Sequence, residues 1–202
     1  LARARQLAGD PPQPKKPRNG KPATAALPGG LAREALPDQV ANLYAARFKE
    51  NPCGQVYLAG RGLDSRELWE AFRFRLADGT LRSRLPKDGP ILEALRPLGI
   101  LNERGQEHFH GCLVVPLTHP DFPGVVGFYG RRLDEAEGPG RHRVLAGPLR
   151  GVLNWQALQA SKKIVLTGGV VDALALWQAG VREVTCLLGS GQLPSDLAIL
   201  MD

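Results

Sequence analysis

The spacing of apolar positions divides the chain into a helical first half and a strand-bearing second half. From Leu31 onward, Leu36, Val40, Leu43, Tyr44 and Phe48 recur at helical spacing. Pro37 is tolerable in a first turn, where its missing N–H costs nothing, and Pro52 closes the run. A second short helix is predicted over 65–72, capped by Asp64 or Ser65 with Glu67 or Glu70 early in it. A third covers 90–98 and ends at Gly99. After His110 the texture changes. CLVVPL (112–117) and VVGFY (125–129) are β-branched and aromatic runs joined by THPDFPG, and they predict a strand pair. A basic, glycine-rich loop follows, from Gly130-Arg131-Arg132 through Arg141-His142-Arg143 to Arg150-Gly151, then a short helix near 155–160. KIVL (163–166) reads as a strand, Thr167-Gly168-Gly169 as a tight turn, 170–179 as a helix ended by Gly180, and EVTCLL (183–188) as a second strand. That order is a βαβ unit, expected to pair in parallel through a right-handed crossover. A last helix is predicted from Pro194. Two parallel strands cannot bury both their faces, so further strands are expected beyond it, and the chain reads as a fragment.

Composition refines the ends of this picture. The formal net charge is +6 over 202 residues, but residues 1–30 hold six Lys or Arg against Asp10 alone, leaving 20 basic and 19 acidic groups in the remainder. The folded part is therefore nearly neutral, and an acidic partner must be met by a local patch or by the tail. The same thirty residues carry six of the 17 prolines. Such a composition offers too little apolar surface to offset the entropy of ordering, so 1–30 reads as a disordered linker, a tether or a DNA-binding arm. The domain division expected is 1–30 linker, 31–108 helical subdomain, 109–160 strand pair with basic loops, and 161–202 βαβ unit. No stretch approaches the roughly 20 apolar residues of a membrane span and no apolar block marks a leader, so a cytoplasmic protein without membrane contact is expected. Cys53, Cys112 and Cys186 are odd in number and far apart, and are expected to be reduced packing residues.

Candidate chemistry gathers in the second half. The strand–Gly–Gly–helix junction at 164–172 offers free backbone N–H groups, a seat for phosphate or carboxylate, although the glycines could simply satisfy a tight turn. Asp172 falls in the first helical turn, where the helix dipole favours a carboxylate in any case. Arg131, Arg132, Arg141, His142, Arg143 and Arg150 lie within twenty residues of one another. Arginine suits phosphate because its planar fork donates two parallel hydrogen bonds, yet the cluster could equally be solvated charge. In a strand, Arg131 and Arg132 would face opposite ways. His108, His110 and Cys112 alternate and would share a strand face, but a structural zinc site wants a fourth ligand and none is near.

Taken in order, these segments resemble the RNA-polymerase core of DnaG-type primases, including those of plasmids, phages and integrated elements. YLAGRGL (57–63), the 91–101 stretch with FHGCLVVPL, VVGFYGRRL (125–133), RHRVLAGPLRGVLN (141–154) and KIVLTGGVVDALALWQAG (163–180) carry the likeness, over roughly 45–202. The resemblance implies an α+β N-terminal part, with helices and a short antiparallel strand pair, leading into an α/β, Rossmann-like Toprim fold truncated at its C-terminus. It implies template-directed RNA primer synthesis on single-stranded DNA from nucleoside triphosphates, with Mg²⁺ or Mn²⁺, and possible partnership with a replicative helicase. Arg131 stands at the family's GGR arginine, Arg132 beside it, Arg150 at a later basic position, and Arg141 or His142 near its nucleotide-contacting lysine. Gly169 and Asp172 match the Toprim glycine and aspartate. The family's catalytic glutamate, however, falls at Gly168, which can neither ligate a metal nor take a proton. Its DxD metal pair would lie beyond Asp202 and its zinc module ahead of the linker, so this chain alone is expected not to polymerise. A non-catalytic module that grips nucleic acid or a replication partner is the competing reading. DNA cleavage by another Toprim enzyme is disfavoured by GFYGRRL, and by Tyr44, Tyr57 and Tyr129 all sitting in apolar, core-like runs.

Overall fold

A computed structural model describes residues 35–134, 140–188 and 196–197. The chain opens with α1 (Leu36–Glu50), whose stripe Leu36, Val40, Ala41, Tyr44 and Phe48 is buried as the spacing predicts, with Pro37 in the first turn. Pro52 ends it and at once caps α2 (Cys53–Ala59). α3 (Arg66–Ala71) starts at Ser65, whose hydroxyl accepts the Leu68 N–H at 3.4 Å. β1 (Arg75–Ala77), α4 (Leu81–Arg84) and α5 (Pro90–Leu95) complete this half. The third helix stops at Leu95, short of the expected 98, and Gly99 follows at φ +72°. β1 is a strand where only helices and loops were expected. It was hidden because three residues, one of them an arginine, carry no readable alternation.

β2 (Cys112–His119) and β3 (Phe122–Arg132) form the predicted antiparallel hairpin, with Val115 opposite Tyr129. Two corrections follow. β3 runs through Arg131 and Arg132, where a loop was expected, and β4 (His142–Val144) pairs back onto it within that same loop. The sheet order is β1-β2-β3-β4, antiparallel throughout. Because β2 starts only at Cys112, His108 and His110 lie in the preceding turn and do not share a strand face with it.

Both faces of this sheet are covered, which is why CLVVPL is apolar without interruption. Cys112, Val114 and Phe128 join Val40, Tyr44, Leu92 and Leu95 in one core. Leu113, Val115, Leu117 and Tyr129 point the other way, into a core shared with Phe72, Phe74, Val170, Leu174, Trp177 and Val184. The second core docks the C-terminal unit: α6 (Trp155–Gln159), then β5 (Val165–Thr167), α7 (Val170–Gln178) and β6 (Val184–Cys186), with β5 and β6 parallel. Asn154 ties the unit down by donating its amide to Arg182 O at 2.7 Å and Val184 O at 3.1 Å. The helix expected from Pro194 and the linker over 1–30 lie outside the described residues. Cys112 and Cys186 are buried, whereas Cys53 is exposed at the start of α2 and is not a packing residue. Tyr44 and Tyr129 are core, but Tyr57 is only half-buried.

At Gly127 the strand backbone runs close against a neighbouring segment. A Cβ there would stand 2.5 Å from the Arg150 carbonyl oxygen, a backbone atom that cannot swing aside. Gly127→Ala is therefore expected to cost about 1–3 kcal/mol of stability by overpacking, read as a shifted midpoint in chemical denaturation.

Candidate nucleic-acid interface

The β3–β4 hairpin sets the arrangement of basic side chains. Strand alternation sends Arg131 to the Tyr129 face and Arg132 to the Phe128 face. Arg131 is buried, 7% exposed: its Nε donates to the Tyr57 hydroxyl at 3.1 Å, and its Nη1 meets His142 Nε2 at 3.0 Å. A guanidinium only donates, so Nε2 must accept, and a neutral His142 then carries its proton on Nδ1, 2.6 Å from the Tyr129 hydroxyl. Partial burial, then Arg131 and Arg141, hold the His142 pKa below its ordinary value, which keeps this relay intact near neutral pH. Burial pushes the Tyr129 hydroxyl far up, so it stays protonated.

Arg132 faces a cleft of about 1040 Å³ on the α1 side, together with Arg82, His108, His110, His142 and Arg143. Arg132 forks onto Asp134. Arg143 donates to the His108 carbonyl, and His108 Nε2 donates to Val144 O at 3.0 Å. His110 closes over Gly79, where an added Cβ would stand 2.7 Å from its Nε2. A neighbouring hollow of about 620 Å³ holds Arg61, Arg131, Arg132 and Arg141, with the Arg61 guanidinium 5.4 Å above the Tyr57 ring. Arg132 and Asp134 line both, so the two hollows form one basic tract along the hairpin.

Of the residues singled out in the sequence, the fold brings Arg131, Arg132, Arg141, His142 and Arg143 together on this tract. Arg150 stands apart: its guanidinium lies 5.3 Å over the Phe122 ring and 3.8 Å from Asp196, beside a separate apolar hollow. Gly168 is exposed, with open space where a side chain would go, and Asp172 is exposed in the first turn of α7. Their link to the tract is through packing, since Val170, Cys186 and Tyr129 share one core against which Tyr57, Leu133 and Val171 lean. Sequence reasoning missed Tyr57, Arg61 and Arg82. The first two were legible in YLAGRGL, while nothing in the sequence singled out Arg82.

At the floor of the cleft, Glu107 is 7% exposed and accepts the Leu81 N–H at 3.3 Å. Burial pushes its carboxyl up from the ordinary 4.5 to about 7, and the buried Tyr44 hydroxyl beside it is driven up by burial and by Glu107. A carboxyl whose folded pKa exceeds its unfolded value contributes its stabilisation fully below about pH 4.5 and loses it as pH rises through 7. The charged form thus costs roughly 3 kcal/mol at pH 8. Glu107→Gln is expected to be the more stable protein at pH 8 and to lose that advantage at pH 5, in urea melts run at both pH values.

Among the described residues, no helix is long and apolar enough to cross a membrane, and no group of three or more His, Cys, Asp or Glu is placed to hold a metal. No family model matches the chain. The DNA primase of Helicobacter pylori strain J99 is 26% identical over 181 residues, 82% of this chain, and that of strain 26695 matches to the same extent. The match spans 31% of the length of these curated relatives. Among solved structures, a primase domain from Pseudomonas aeruginosa superposes with a TM-score of 0.70 at 22% identity, covering 84% of this chain and 58% of that one. The DnaG primase catalytic domain bound to single-stranded DNA superposes at 0.68 with 20% identity, covering 84% and 59%. The chain is thus similar in sequence to DNA primases over most of its length and carries the fold of the DnaG-type catalytic core.

Proposed function

We propose that the chain is a primase-like core that holds a single-stranded DNA template, and the nucleotides copied onto it, along the β3–β4 tract, as part of RNA primer synthesis in the cytoplasm. One observation carries this reading: in a fold matched by a core that binds single-stranded DNA, five basic side chains from 131–143 gather on one hairpin beside two open hollows. Arg131 braces the tract from beneath, through Tyr57 and His142. Arg132, Arg141 and Arg143 offer phosphate contacts. The βαβ unit then corresponds to the opening of a Toprim fold, with Gly168 at the place of its glutamate.

The divalent metal that such chemistry uses does not fit the residues described. Gly168 has no donor, Asp172 is the lone carboxylate at the turn, and no group of three or more His, Cys, Asp or Glu placed for a metal is found among the described residues. Magnesium is usually held by one or two carboxylates with substrate phosphates. The proposed role of this chain is therefore to bind and position rather than to polymerise. Fluorescence anisotropy with a labelled oligodeoxythymidylate tests it. Binding should weaken steadily as salt rises, since phosphate contacts release counterions. Absence of binding at low salt overturns the proposal.

A further inference from the structure

A recess of about 580 Å³ that shares no lining residue with the basic tract lies among α1, α2, α3 and β1. Its apolar part is aromatic: Phe48 meets Trp69 edge-on at 6.0 Å and Phe74 at 6.2 Å. The Trp69 indole N–H is spent on Leu63 O at 2.7 Å, so the ring has only its face and edge to offer. Around this floor stand Lys49, Arg73 and Arg75, none ion-paired among the described residues, and Arg66, which is paired with Glu70.

Arg75 is the unusual member. It is 7% exposed, yet its partners are two backbone carbonyls, Ala41 O from Nε at 2.8 Å and Arg73 O from Nη1. Arginine is almost never buried without an anion, because desolvating the guanidinium is costly unless a charge compensates it. Arg75 lines the recess, and the carboxylate that acts on it electrostatically, Asp38, makes no ion pair with it among the described residues. Arg73 sits above it at φ +49°, a backbone conformation that non-glycine residues rarely hold. An aromatic floor beside three cations that form no ion pair among the described residues suits a ligand that is planar and apolar at one end and polyanionic at the other, and the volume suits a small molecule.

We infer that this recess binds a nucleoside polyphosphate, its base against Trp69 and its phosphates on Lys49, Arg73 and Arg75. The site is separate from the template tract, which makes it a place where nucleotide level could act on the protein without competing for DNA.

The test titrates the chain with ATP carrying a fluorescent ribose label, without DNA. Arg141→Glu disables the template tract and should leave binding at the recess intact. Lys49→Glu with Arg73→Glu, both exposed positions, should weaken that binding at least about tenfold while the melting temperature stays unchanged. Quenching of tryptophan emission by ATP should shrink in Trp69→Phe, an independent readout if the double variant folds poorly. The inference is overturned if Arg141→Glu removes all nucleotide binding, or if the double variant binds as the parent does. Displacement by inorganic tripolyphosphate as effectively as by ATP overturns the nucleoside assignment. Displacement by a glutamate-rich peptide where ATP fails overturns it in favour of a protein partner. Failure of DNA binding to respond to Arg141→Glu would instead count against the template tract alone.

Discussion

Arg141→Glu is expected to weaken binding of single-stranded DNA by about tenfold, and Arg141→Glu with Arg143→Glu by on the order of a hundredfold, taking each charge-assisted phosphate contact as about 1.5 kcal/mol. Arg141 is the cleaner position, because its side chain makes no bond among the described residues and lines the hollow beside Arg131. Arg143 also steadies the His108 turn, so the double variant needs a melting curve beside its binding curve. Loss of two contacts should flatten the dependence of log affinity on log salt by about 1.4, at 0.7 per phosphate on a single strand. Arg150→Glu is the internal control. Although the sequence groups Arg150 with the other arginines, the fold sets it over Phe122 and against Asp196, and its reversal should leave the salt slope unchanged. A fall equal to that of Arg141→Glu would mean the nucleic acid crosses the Arg150 surface instead. Arg131→Glu is uninformative for the same question, since the buried side chain braces Tyr57 and His142 and its reversal would strike the fold first.

That contrast marks how far the sequence was legible. α1 was readable because a fifteen-residue amphipathic run gives several full turns of signal, and the β2–β3 hairpin because β-branched and aromatic residues bracket a turn-rich connection. The βαβ unit was readable from the Gly-Gly corner and the change of period on either side of it. What escaped were the short helices α2 and α4 and two strands of three residues. RLA in β1 and HRV in β4 are too short for period two to register, and each carries an arginine that local propensity assigns to a loop. They are strands because β2 and β3 present unpaired edges, a tertiary cause that no window of sequence contains. The same limit applies to the site. Clustering of arginines within twenty residues was visible, but their sorting was not: Arg131 inward, Arg132 to the cleft and Arg150 away follow from where β3 ends and β4 returns.

Gly168→Glu is expected to fold as the parent does. Nothing stands within 4 Å of where its Cβ would be, and its φ lies outside the left-handed range that would make a side chain strained. Gly169 follows as the N-cap of α7, so a carboxylate one residue earlier lies near the positive end of that helix, worth about 0.3–1 kcal/mol. Replacing a glycine whose conformation any residue can adopt adds about 0.4–1 kcal/mol through the unfolded chain. The melting temperature should therefore hold or rise. A loss of about 2 kcal/mol or more would show that the corner needs its glycine for structure. With folding secured, the substitution places two acidic residues, at 168 and 172, around one helix start. Binding of Mn²⁺ followed by its paramagnetic spectrum should then be measurable in the variant and weaker in the parent. In a protein carrying the neighbouring segments of the curated relatives, the same change should raise Mg²⁺-dependent primer synthesis on single-stranded DNA above the parent's level. Metal binding gained without synthesis would place the missing chemistry elsewhere than this corner. Neither gained, with DNA binding intact, would make the β3–β4 tract a gripping surface in its own right, a primase fold kept for its hold on the strand.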